Sequence, residues 1–243
     1  MSETQNYHKD YDELPFENSL RKYRYAELIG LFSKFKAKNI LEIGCGYHPI
    51  FEHYKDFHKM TIVEVDENFY NAAIKKANGN PDIKFINKPI QDSINDLSPE
   101  FDIILISGFL HEIDNPEEVL FLIKKICNSN TKVITFVPNA NSFHRVLAYE
   151  AGLIPSIYDF SENDKKFGRR LVWDINSFSE FFTSNNYLVE LSKTFFIKPF
   201  AHSQMEELIS NGIFTKEVLD GLNNMIKYMP DIGCEIIIVA KSI

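Results

Sequence analysis

"KNILEIGCGYHPIF", residues 38–51, runs from an apolar stretch into an acidic residue and then into a turn built on two glycines. A short apolar run bounded by glycine reads as a buried strand. Similar runs recur as "MTIVEV", "IKFIN", "FDIILIS", "TKVITFV", "YLVELSKTFFI" and "CEIIIVA". Between the first five lie segments with apolar residues at helical spacing, such as Phe69 to Ala77 and Pro116 to Ile126. Strands apolar on both faces that alternate with helices imply a mostly parallel sheet covered on both sides, a doubly wound α/β fold. The stretch from Ser203 to Met229 separates the last two runs and is largely helical, so the final strand is expected to insert antiparallel.

The chain of 243 residues is 44% hydrophobic and 25% charged, and is expected to form one domain. Residues 11–37, with "SLRKYRYAELIGLFSKF", should form an N-terminal helix; it either covers the sheet edge or acts as a lid, with Arg21, Tyr23 and Arg24 toward the site. Residues 139–172 form an insertion after the fifth strand, where such folds shape a substrate pocket. Tyr7, Tyr11 and Trp173 could close that pocket. A formal charge of −8 argues against a nucleic-acid surface, and no apolar run is long enough to span a membrane. The polar, acidic start fits neither a secretory signal nor a transit peptide, so a cytoplasmic location is expected. Cys45, Cys127 and Cys234 are odd in number and far apart, which suits neither a disulfide framework nor a zinc site.

In an open parallel sheet the ligand sits beyond the carboxyl ends of the strands. There Gly44 and Gly46 let the backbone approach a ligand, and Glu42 can accept hydrogen bonds from a cationic or hydroxylated group. The turn lacks G-x-G-x-x-G and any Lys-Ser/Thr ending, so it does not read as a phosphate loop. "EIGCG" instead resembles the acidic-x-Gly-x-Gly motif of class I S-adenosylmethionine-dependent methyltransferases, with a Rossmann-like fold. His48 and Pro49 stand where the fuller pattern has a third glycine, so the turn into the next helix should be tight. The resemblance implies S-adenosylmethionine as cofactor, held by Glu42, Gly44, Cys45 and Gly46. It also implies a ribose acid at the end of the second strand. Counting from Glu64 places Phe69 and Ala73 where the family has an apolar and a small helix residue, whereas Asp66 gives Asn71 and Lys75. Glu64 is therefore the ribose acid, beside Val65, and Asp66 the helix N-cap. The loop "NKPIQDS" offers Ile90, Gln91 and Asp92 to the adenine, and Ser107 and Gly108 after the fourth strand would face the methionine part. A helix should start at Asp114 or Asn115 with Pro116 in its first turn.

From about residue 38 to the end, "VPNANSFHRVLAYEAGLI", "FFIKPFAHSQMEEL" and "YMPDIGCEIIIVA" look like a bacterial subfamily associated with surface sugars and specialised metabolites. The implied reaction is O-methylation of a small molecule; methylation of an amine, or cofactor binding without catalysis beside a partner enzyme, are the rival readings. An alcohol acceptor needs a general base, for which His111 and His144 are the candidates and His202 the third. His144 sits in "NSFHRV", a segment that could equally be a helix capped from Asn141. Arg145, Arg169, Arg170, Lys198 and His202 form a basic set in an acidic protein. They would bind an anionic, phosphorylated or nucleotide-linked, sugar-like acceptor. No metal spacing appears, so metal-independent chemistry is expected. The oligomeric state is left open.

Overall fold

The computed structural model describes residues 16–243. Tyr7, Tyr11 and residues 11–15 of the expected N-terminal helix lie outside the described residues. Seven strands form one sheet: β1 (Asn39–Ile43), β2 (Lys59–Val63), β3 (Ile83–Ile86), β4 (Ile103–Ile106), β5 (Lys132–Pro138), β6 (Tyr187–Phe195) and β7 (Glu235–Ser242). Their order is β3-β2-β1-β4-β5-β7-β6. β1 pairs in parallel with β2 and β4, β2 with β3, and β4 with β5. The last strands are antiparallel, and β7 lies between β5 and β6, as expected from the helical stretch that precedes it.

By contact the chain divides into two compact units. One comprises Tyr25–Phe136, Ser179–Leu191 and Ile238–Ile243. Its centre is made of strand residues that are fully buried on both faces, among them Ile40, Leu41, Ile62, Ile103 to Ile106 and Val133. This two-sided burial is why these strands read as continuous apolar runs instead of alternating ones. The helices α2 (Glu67–Ala77) and α4 (Pro116–Lys124) follow β2 and β4. Asp66 caps α2, its Oδ1 accepting from the backbone N–H of Asn68 at 2.8 Å and Phe69 at 3.2 Å. Asn115 is the cap residue of α4, with Pro116 at its start, where the missing N–H costs nothing.

The other unit comprises residues 16–24, Val137–Phe178 and Ser192–Ile237. It holds α5 (Phe143–Glu150), α6 (Glu162–Lys166), α8 (His202–Ser210) and α9 (Lys216–Asn224); α7 (Ile175–Ser184) begins in it. The cap residue of α5 is Ser142, not Asn141, whose N–H instead bonds the Asn139 side chain. Helix α1 (Glu17–Lys34) starts here, and its Arg24 is buried. The Arg24 guanidinium donates to Glu17 Oε1 at 2.9 Å and to both oxygens of Glu235 on β7, with Nε to Oε2 at 2.7 Å. Tyr23 donates to Asp220 at 2.9 Å and its ring packs 4.8 Å from Phe196. Arg24 and Tyr23 thus tie the start of α1 to β7, α9 and the end of β6, within this unit.

Breaking a buried ion pair from one side leaves the remaining charge without a partner, which typically costs about 3–5 kcal/mol. Arg24→Met is expected to lower stability on that scale in urea denaturation, and Arg24→Met with Glu235→Gln to recover part of the loss.

Candidate cofactor and acceptor site

Two acids stand at the carboxyl ends of neighbouring strands. Glu42, the fourth residue of β1, is 1% exposed. Its register partners are Ile62 on β2 and Leu105 on β4, so its carboxylate lies among apolar strand residues. Two donors fix it: Ile50 N–H to Oε2 at 2.9 Å and Ser107 Oγ to Oε1 at 2.9 Å. Burial nonetheless pushes its pKa up to about 7, against the pull of those hydrogen bonds, and the nearby Glu64 charge adds to the rise. Glu64, one residue past β2, is also buried. It accepts from Gly46 N–H at 3.0 Å on Oε2 and from Asp66 N–H at 3.0 Å on Oε1. Burial raises its pKa too, with Asp66 contributing and the two backbone donors opposing.

The glycine turn is shaped by sterics as well as by hydrogen bonds. Gly44 adopts φ +74°, and a Cβ there would sit 2.9 Å from the Phe109 ring. Gly108, after β4, adopts φ +73°, and a Cβ would sit 2.5 Å from the Phe136 ring. Both positions require a residue without a side chain, for conformation and for room. After Pro49 the chain enters a single 3-10 turn, Ile50–Glu52, which is the tight exit anticipated from His48 and Pro49. Cys45 is buried, and burial pushes its thiol pKa up, so it contributes backbone and volume instead of a thiolate.

The side of the site beyond β2 is open. Val65 is 64% exposed, next to the buried Glu64. Asn87, which sequence reading missed, donates from Nδ2 to the Glu64 carbonyl at 2.8 Å and to the Val65 carbonyl at 3.2 Å. It fastens the end of β3 to the end of β2, and only its place just after a strand could have marked it. Ile90 is buried at the start of the short helix α3 (Ile90–Ser93), whereas Gln91 and Asp92 are exposed. His111 is buried in the turn after β4, with Nε2 3.6 Å from Glu112 Oε1.

The remaining candidates belong to the other unit. Arg145 donates to the Ile157 carbonyl at 2.8 Å, to the Asp159 carbonyl, and to Asp164 Oδ2 at 3.3 Å. Arg169 donates to Asp164 Oδ1 at 2.5 Å. Burial pushes the Asp164 carboxyl up, but the Arg169 charge and the Ser161 hydrogen bonds outweigh it and hold the group below the usual carboxylate range. Both arginines therefore make ion pairs inside the 139–172 insertion, where sequence reading had placed them toward an acceptor; Arg170 is exposed. Trp173 is buried against Phe178, ring centroids 4.8 Å apart, and its backbone bridges to Asn139. His144 and His202 are both half-buried and are held well below the usual histidine range, chiefly by burial and then by the Lys198 charge.

A family model described as a methyltransferase domain matches residues 18–191. The chain belongs to that family. None of the curated proteins matches this methyltransferase's sequence. Among solved structures, it is similar to an S-adenosylmethionine-dependent methyltransferase from Archaeoglobus fulgidus, at 16% identity and TM-score 0.57 over 91% of this chain and 94% of that one. It is also similar to the plantazolicin methyltransferase BpumL, in complex with SAH, at 21% identity and TM-score 0.55 over 99% and 89% of the two chains. A third is the plantazolicin methyltransferase BamL with a triazolic desmethylPZN analogue and SAH, at 14% identity and TM-score 0.58 over 99% and 90%. At these identities the likeness is one of fold. Among the described residues of the methyltransferase no group of three His, Cys, Asp or Glu could hold a metal ion, and no helix is long and apolar enough to cross a membrane.

The raised Glu42 pKa has a direct consequence for stability. Unfolded, the carboxyl titrates near 4.5; folded, near 7. Between those values the folded state binds more protons, so the Glu42 contribution to stability is full below about pH 4.5 and is lost as pH rises through 7. Glu42→Gln is expected to flatten that slope and to raise ligand-free stability at pH 8 by about 2–3 kcal/mol, read from urea denaturation at pH 5 and pH 8.

Proposed function

We propose that this methyltransferase uses S-adenosylmethionine to methylate a hydroxyl of a small anionic, sugar-like molecule, with a histidine as general base. The observation that carries the cofactor half is the pair of buried carboxylates, Glu42 and Glu64, each tied to the backbone around a two-glycine turn. The cradle fits an amino-acid-bearing nucleoside. Beyond its two backbone donors and the Cys45 thiol, the Glu64 carboxylate keeps acceptor capacity, so vicinal hydroxyls can donate to it. The exposed Val65 offers an apolar face for a planar base. Glu42 gains from any cation or donor that favours its ionised form, because burial alone works against that form.

When bound, S-adenosylmethionine supplies an electrophilic methyl on a sulfonium. The chain's own residues then have to orient the acceptor and remove one proton. His111 is the first choice for that proton. It lies in the turn after Ser107 and Gly108, in the unit that carries Glu42, and the Glu112 carboxylate beside Nε2 favours the charged imidazolium that proton transfer creates. His144 is neutral and so ready to accept, but a depressed pKa makes it a weaker base. A nitrogen acceptor would arrive already nucleophilic and would need neither histidine.

Glu64→Ala is expected to weaken S-adenosylhomocysteine by ~1.5–3 kcal/mol in calorimetry. Asp66→Ala should leave that affinity near wild type and cost about 1 kcal/mol of stability through the lost cap. The reverse pattern would move the ribose role to Asp66. For the base, His111→Ala should lower turnover ~100-fold or more with cofactor affinity unchanged. Wild-type turnover in both His111→Ala and His144→Ala would select an amine acceptor. Turnover is expected to persist in excess EDTA.

A further inference from the structure

Lys198 lies between β6 and α8, and its side chain is buried, at 3% exposure. Among the described residues its polar contact is His202 Nδ1, 3.0 Å from Nζ. A buried ammonium whose neighbour is an imidazole lacks the counter-charge that burial normally demands. The buried acids of the same unit are committed elsewhere: Glu17 and Glu235 to Arg24, and Asp164 to Arg145 and Arg169. Burial lowers the Lys198 pKa to about 8, with Arg169 acting in the same direction and Cys234, Glu235 and Glu17 opposing. The amine is still mostly protonated at neutral pH.

Two further donors accompany it. His144 feels the charge of Lys198, and its Nδ1 is sealed from solvent with no hydrogen-bond partner among the described residues. His202 opens α8, a nine-residue helix, where the first N–H groups and the helix dipole favour a negative group. Kept neutral by burial and by the Lys198 charge, each imidazole can turn a ring N–H toward an anion without adding a second buried charge.

We propose that Lys198, His202 and His144 form an oxyanion subsite that takes the carboxylate or phosphate of the acceptor. The assignment rests on the anionic-acceptor reading and moves the anion from the arginines, which are paired internally, to Lys198. One oxygen of the anion accepts from the Lys198 ammonium, and the imidazoles complete the shell.

The test is calorimetric titration of sulfate, as a tetrahedral dianion that does not itself titrate, and of acetate, with and without S-adenosylhomocysteine. Saturable binding of at least one anion is expected, weakened about 10-fold or more in Lys198→Met and unchanged in Lys216→Ala, a fully exposed lysine. Tighter sulfate indicates a phosphate-bearing acceptor, and tighter acetate a carboxylate. At pH 8.5, two buffers of different ionisation enthalpy should reveal proton uptake by the wild type on sulfate or acetate binding, since a bound anion favours the ammonium. This reading decides the matter if Lys198→Met fails to fold. No saturable anion binding, equal binding by Lys198→Met, or no proton uptake overturns the subsite. Intact S-adenosylhomocysteine binding in the same protein would confine that failure to the subsite, whereas its loss would count against the cofactor reading.

Discussion

Glu42 and Glu64 are both withdrawn from water at the ends of neighbouring strands, and each can hold its charge only through donors fixed by the fold. Those donors come from the glycine turn, from the 3-10 turn that follows it, from the Asp66 cap of α2 and from the end of β4. The geometry of four loops is therefore coupled to two ionisations. Gly44 and Gly108 belong to the same constraint, because the aromatic rings of Phe109 and Phe136 pack where side chains would otherwise stand. A site built this way is destabilised when empty at neutral pH, and a ligand that supplies cationic or hydroxyl donors relieves the strain of buried charge.

The second unit solves a different electrostatic problem. Arg24, Arg145 and Arg169 meet carboxylates, and these pairs organise the insertion and anchor the first helix. Lys198 does not share in that neutralisation, although it is buried as deeply as Arg24. The contrast between a matched guanidinium and an ammonium facing an imidazole separates structural charge from charge available to a ligand.

Much of the fold could be read from the chain, because two-sided burial leaves continuous apolar runs that few other arrangements produce. The choice of Asp66 as a cap followed from counting, since a short carboxylate before a helix bonds N–H groups two and three residues on. What could not be read was pairing across long separations. Ser107 reaches Glu42 over 65 positions and Arg24 reaches Glu235 over 211. For the same reason Arg145 and Arg169 looked available for a ligand: no periodicity in the sequence signals that Asp164 takes both. Burial of Lys198 was equally hidden, since a lone lysine in "FFIKPF" gives no sign of whether its amine ends in water.

The cysteines carry a practical consequence. Burial pushes the thiol pKa of Cys45, Cys127 and Cys234 upward, to about 12 for Cys127. With almost no thiolate at neutral pH, the folded chain is expected to react slowly with maleimides and iodoacetamide. The three positions lie in the glycine turn, after α4 and at the start of β7, so the rate at which each becomes labelled reports how often that part of the protein opens. The native sequence thus contains its own set of local unfolding sensors, with no residue added or removed.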